Sequence, residues 1–128
     1  MSESKHQQAF IVWANRHVDA KHIYAIPNGG ARSKATAGRL KAEGVRRGVL
    51  DLHLPASRGV HKSLYIEFKF GDGRLSPEQS EFSSYVISEG HAVAVVWDWL
   101  LAVKATEQYL AGTLPSGLNL FKLPKKSA

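Results

Sequence analysis

Glu67 and Lys69 stand two residues apart in Ser63-Leu64-Tyr65-Ile66-Glu67-Phe68-Lys69-Phe70, a run whose composition predicts a strand. Side chains alternate along a strand, so these two leave one face about 6.6 to 6.8 Å apart, while Leu64, Ile66, Phe68 and Phe70 take the opposite, apolar face. An acid and a base on an interior-looking strand are costly to bury unless they pair or meet an ion. A salt bridge or a solvated sheet face would also meet that cost. Asp51 adds a third charge, set inside Val49-Leu50-Asp51-Leu52-His53-Leu54, a second strand-like run bounded by Gly48 and Pro55. The polar connection 55–62 suits an antiparallel pair, so Asp51 and Glu67 can point at one cation. Hard oxygen ligands suit Mg²⁺ or Mn²⁺ and leave positions open for a phosphate oxygen and a water. Such a cation polarises the phosphate and lowers the pKa of the water, and Lys69 can orient that water or offset transition-state charge. Gln79, one turn into the next helix, can reach the same cleft to hold a water or a phosphate; an exposed helix glutamine explains it equally well.

The elements that must position these residues follow from the apolar pattern. Ala9, Phe10, Val12, Trp13 and Val18 are spaced as the buried face of a first helix. Ile23-Tyr24-Ala25-Ile26 is a short strand stopped by Pro27-Asn28-Gly29-Gly30, and residues 33–43 suit a short basic helix ending at Gly44. After the two strands above, Ser76-Pro77-Glu78 caps and opens a helix that ends near Gly90. Ala92-Val93-Ala94-Val95-Val96 reads as a strand covered on both faces, and Asp98 caps a last helix reaching about Leu110. The main order is α-β-β-β-α-β-α, an α/β fold. Residues 1–112 form one domain, and the Gly/Pro/Lys-rich residues 113–128 are expected to be an extended C-terminal arm.

A chain of 128 residues that is 44% apolar suits one core and one site. It has no cysteine, which excludes disulfides and thiolate zinc, and its 6 histidines contain no tight pair for zinc. His53, two residues from Asp51, should share its sheet face, where a hydrogen-bonded structural histidine is the simpler reading. No apolar run approaches the roughly 20 residues that span a bilayer, and Met1-Ser2-Glu3-Ser4-Lys5-His6 has no apolar secretory core, so a soluble, cytoplasmic protein without membrane contact is expected. The 17 Lys+Arg against 11 Asp+Glu give a net charge of +6, which favours a polyanion.

Gly48-Val49-Leu50-Asp51 followed by Glu67-Phe68-Lys69 resembles the PD-(D/E)xK nuclease signature. More narrowly, short motifs in order resemble the virus-type replication-repair nuclease (VRR-NUC) domain: Asn28-Gly29-Gly30, then Lys41-Ala42-Glu43-Gly44-Val45-Arg46-Arg47-Gly48-Val49, then Ile66-Glu67-Phe68-Lys69, and Leu75-Ser76-Pro77-Glu78-Gln79. The likeness spans roughly residues 1–97. It implies a restriction-endonuclease-like mixed central sheet flanked by helices, with Asp51 and Glu67 as metal ligands and Lys69 as the catalytic lysine. The Phe68 carbonyl would complete the metal shell, and Glu3 is the nearest candidate for the acid that the family places on its first helix. Leu50 stands where the family commonly has proline, a difference of backbone rather than chemistry. The resemblance further implies a DNA nuclease acting on branched or junction-containing duplexes in replication and repair, of the kind found in phage or prophage. A non-catalytic nucleic-acid-binding module is the alternative.

Arg32, Lys34, Arg39, Lys41, Arg46 and Arg47 precede Asp51 with only Glu43 among them, and together with Asn28, Gly29 and Gly30 they form the expected DNA-binding surface. Few aromatic residues interleave with these charges, which points to duplex backbone rather than stacked bases. A homodimer is also expected, because a symmetric branched duplex presents two equivalent strands. Val95-Val96-Trp97-Asp98-Trp99-Leu100-Leu101 and Tyr109-Leu110 supply apolar material for its interface.

Overall fold

A strand that is apolar at every position has no side to show to water, and Ala92–Val96 is buried at all five residues. It lies near the middle of the computed structural model, which describes residues 1–28 and 33–124. The elements are α1 (Glu3–Asn15), β1 (Tyr24–Ala25), α2 (Lys34–Ala42), β2 (Leu52–Leu54), β3 (Leu64–Phe68), α3 (Pro77–Ser88), β4 (Ala92–Val96), α4 (Trp99–Leu110) and β5 (Leu118–Phe121). The sheet runs β1-β2-β3-β4-β5. β1, β2 and β3 pair antiparallel, whereas β3, β4 and β5 pair parallel, with α3 and α4 as the crossovers.

Alternation sorts the side chains into two layers. Leu52, Leu54, Leu64, Ile66, Phe68, Ala92, Ala94 and Val96 meet Phe10 and Ala14 of α1 and Ala102, Ala105 and Tyr109 of α4. On the other face Val93 packs with Leu50 and with Val86 of α3. The mixed sheet flanked by helices is the architecture expected from the sequence, and no helix among the described residues is long and apolar enough to cross a membrane.

Helix α1 occupies the first dozen or so residues, as expected, and it starts at Glu3 because the Ser2 hydroxyl caps it by accepting from the Lys5 N–H. Four expectations are corrected. Val12 and Val18 are exposed, and Phe10 and Ala14 carry the buried face. Phe70 does not share the apolar face of β3, because the chain leaves the sheet after Lys69 and the ring is 59% exposed.

Within the expected arm at residues 113–128, the described residues 113–124 are not simply an arm. Leu118–Phe121 adds β5 to the sheet, Leu114 is buried, and the Asn119 amide ties the strand down by donating to the carbonyls of Val93, Pro115 and Gly117. The residues offered for a dimer interface are largely consumed by the monomer: Val95, Val96 and Tyr109 are at most 1% exposed, and Trp97 is 9% exposed. Of that set only Leu100 is a strongly exposed large apolar residue.

Candidate active site

β3 is long enough to carry Glu67 in its ladder, and Lys69 follows directly, its N–H donating to the Val96 carbonyl. In a parallel ladder that bond turns the N–H and C=O of Phe68 away from β4, toward β2. There β2 has already ended. Asp51 lies at a bend just before Leu52, not in mid-strand, and its side chain replaces the missing rung: Oδ2 accepts from the Phe68 N–H at 2.8 Å. In return Glu67 Oε1 accepts from the Asp51 N–H at 3.0 Å. Each carboxylate is thus held by the other's segment of backbone, which fixes both without a long flexible arm. The ladder's end also leaves the Phe68 carbonyl directed at the same edge.

α3 closes the other side. Its first turn is a capping box, in which Ser76 Oγ accepts from the Gln79 N–H at 3.1 Å and Gln79 Oε1 accepts from the Ser76 N–H at 2.9 Å. That fixes the amide's orientation, so Gln79 Nε2 is free to donate to Glu67 Oε2 at 2.9 Å while Oε1 also receives Lys69 Nζ at 2.9 Å. Lys69 Nζ lies 3.3 Å from Glu67 Oε2. Gln79 is therefore not an exposed helix residue; its amide ties the acid and the base together. The turn of chain before Asp51 is pinned to the same helix end by Gly48. Its φ is +86°, and a Cβ there would lie 2.5 Å from Glu78 Cβ, so no other residue fits without displacing α3.

The electrostatics are unbalanced. Glu67 is only 3% exposed, and burial, with the neighbouring Asp51 carboxylate next, pushes its pKa from 4.5 up to about 8 despite Lys69. Asp51 is raised too, mainly by burial, against the opposing hydrogen bond from Phe68. With a buried Glu67 and a half-buried Asp51 beside a single ammonium, the site resists holding both carboxylates ionised.

Asp51 opens onto a cavity of about 470 Å³ whose wall is α1, through Glu3, Ser4, Gln7, Gln8 and Ile11. Glu3, Gln7 and Ile11 repeat at four-residue spacing, a helix-face signal that could have marked Gln7 beside Glu3 from the sequence. The described residues contain no group of three or more His, Asp or Glu already gathered at metal-binding distance.

No protein-family model and no curated protein matches the chain. A solved structure of a VRR_NUC domain protein superposes on it with a TM-score of 0.75 at 23% identity, covering 91% of this chain and 98% of that one. The chain has the VRR-NUC fold. Within it the sheet edge, α1 and α3 bring Asp51, Glu67, Phe68, Lys69 and Gln79 together and set Glu3 on the same cavity as Asp51.

The described basic residues precede Asp51 in the chain and are exposed. α2 buries nothing, so Lys34, Arg39 and Lys41 face solvent, and Arg46 and Arg47 are exposed just before Gly48. Arg39 is 3.7 Å from Glu43 in an exposed pair of little energetic weight. Asn28 is exposed two residues beyond Ile26, whose N–H donates to the Asp51 carbonyl. Gly29, Gly30 and Arg32 lie outside the described residues.

Proposed function

We propose that this protein is a Mg²⁺- or Mn²⁺-dependent deoxyribonuclease that hydrolyses phosphodiester bonds in duplex DNA, with branched or junction-containing duplexes as its preferred class. The observation that carries this reading is the cross-bonded cluster of Asp51, Glu67, Lys69 and Gln79, which opens through Asp51 onto a cavity on a VRR-NUC fold. The donor set fits a hard divalent cation: a buried and a half-buried carboxylate that resist ionising together, and a backbone carbonyl directed to the same edge. Asp51, Glu67 and the Phe68 carbonyl would hold it, with Glu3 as the further acid across the cavity. Bound there, the metal would polarise the phosphate and acidify water.

The remaining steps belong to the chain. Lys69 orients the attacking water and offsets negative charge on the phosphate as it becomes five-coordinate. Gln79 positions Lys69 through the bond to its ammonium. Lys34, Arg39, Lys41, Arg46 and Arg47, with Asn28, Gly29, Gly30 and Arg32, hold the DNA backbone on the approach to Asp51. The working unit is a homodimer in the bacterial or phage-infected cytoplasm, presenting one centre to each of two equivalent strands. Its interface must use residues other than the buried Val95, Val96 and Tyr109.

Incubation with labelled linear, flapped and four-way DNA tests the reading. Cleavage should appear with Mg²⁺ or Mn²⁺ and vanish with chelator; cleavage that survives chelation contradicts it.

A further inference from the structure

We infer that the groove around Trp97 is a subsite for an unpaired nucleotide next to the cleaved phosphate, an inference that rests on the nuclease reading above. Phe70 follows Lys69 directly and is 59% exposed. It is nevertheless held in place: the Gly73 N–H donates to the Phe70 carbonyl, and a Cβ at Gly73 would lie 2.9 Å from that oxygen, so the turn is tight. Trp97 Nε1 donates to the Gly71 carbonyl at 3.0 Å, which braces the same turn from beneath.

Two cavities of about 430 and about 370 Å³ adjoin here, and Arg74, Trp97 and Lys122 line both. Phe70 and Asp72 line the larger one. Lys122 Nζ lies 4.8 Å from the centroid of the Trp97 ring, and among the described residues neither Lys122 nor Arg74 is in a salt bridge. The single acid, Asp72, leaves the groove net positive.

An exposed ring on a braced turn, beside cations, is the chemistry that binds single strands: the base stacks on the ring and the phosphates meet the cations. The basic approach along residues 34–47 has cations and no aromatic ring, and so suits a paired backbone. Lys69 lies between these surfaces in the chain, immediately before Phe70. The substrate they describe together is a duplex whose strand becomes unpaired beside the cut, the paired arm on the basic approach and the first unpaired base on Phe70.

The test compares binding, in chelator, of a blunt duplex and of the same duplex with a single-stranded tail carrying 2-aminopurine at its first unpaired position. Wild-type protein should prefer the tailed duplex and quench the 2-aminopurine. Phe70→Ala and Phe70→Leu should cut that preference by roughly five- to a hundredfold and lose the quenching, whereas Phe70→Trp keeps both. Val60→Ala, an exposed apolar loss in the β2–β3 connection, controls for surface effects and should leave the preference alone. An unchanged preference in Phe70→Leu, or an equal loss of blunt-duplex affinity, overturns the subsite. If wild type shows the Phe70-dependent preference but cleaves nothing with Mg²⁺ or Mn²⁺, the nuclease reading fails and the unpaired-strand site stands; if it cleaves but Phe70 is indifferent, the reverse holds.

Discussion

The sheet face that carries Glu67 carries a second polar network a few residues away, and the two differ in what they leave unsatisfied. Tyr24 Oη is hydrogen-bonded to His53 Nδ1, His53 Nε2 to Ser63 Oγ, and Ser63 Oγ to His91 Nδ1. One hydroxyl between two imidazoles can donate to one and accept from the other, so a neutral chain closes on itself by choice of tautomer. Tyr65 stacks on His53 with ring centroids 4.4 Å apart and completes the packing. Burial and His91 hold the His53 pKa below its ordinary value, which favours its neutral form. The Asp51–Glu67 cluster is as thoroughly hydrogen-bonded, but its two acids face a single base, so it cannot ionise fully without a further positive charge. Hydrogen-bond satisfaction alone therefore does not separate a site from a structural network; residual charge in a buried setting does.

Activity should separate the two networks most sharply. Asp51→Ala, Glu67→Ala and Lys69→Ala should each lower cleavage by roughly a thousandfold or more while the fold survives. Ser63→Ala, measured under the same steady-state conditions, should stay within a few-fold of wild type. Comparable losses in both networks would break the comparison.

Stability should move in opposite directions. Folded Glu67 titrates at about 8 against an ordinary 4.5, so its raised pKa favours the fold fully below the ordinary value, and this contribution is lost as pH rises toward 8. The metal-free protein should therefore melt at a lower temperature at pH 8 than at pH 5. Asp51→Asn removes one of the facing charges and should raise the metal-free Tm at pH 8, whereas Ser63→Ala should lower it by roughly 5 °C by leaving two imidazole nitrogens unpaired. Calorimetry across that pH range decides it.

Gln79→Ala gives a smaller effect. It loses both the capping box and the tie between Glu67 and Lys69, so kcat should fall roughly tenfold with KM little changed; a rise in KM alone would assign Gln79 to DNA binding instead. The smallest effect concerns the approach surface: neutralising Arg46 and Arg47 together should make the salt dependence of DNA binding shallower by about two units, one per lost phosphate contact. An unchanged slope would return those residues to ordinary solvated surface.

Much of this was legible in the sequence because the strand period is short and strict. A spacing of two positions from Glu67 to Lys69 suffices to put them on one face, and an acid interrupting Val49-Leu50-Asp51-Leu52 marks itself. What escaped is tertiary. Ser76-x-x-Gln79 announces a helix cap, but not that the same amide reaches across to Glu67 and Lys69. Phe70 continues the alternation of β3 on paper, and only the turn at Gly71-Asp72-Gly73 takes it out of the sheet. Leu118–Phe121 lies between Gly117 and Pro124, the punctuation of a strand, yet four residues among glycine, proline and lysine read as arm until β4 is there to pair with. The apolar excess of residues 95–101 read as an interface because the helices that cover both faces of β4 cannot be counted from the sequence.

The central claim is that Asp51 and Glu67 hold a metal while the neighbouring histidine network holds none. Titration calorimetry with Mn²⁺ at neutral pH tests it most directly, using wild type, Asp51→Asn and Ser63→Ala. Wild type and Ser63→Ala should bind Mn²⁺ with matching affinity and release protons as Glu67 ionises, and Asp51→Asn should lose that binding. Undiminished binding in Asp51→Asn, or its loss in Ser63→Ala, would contradict the account.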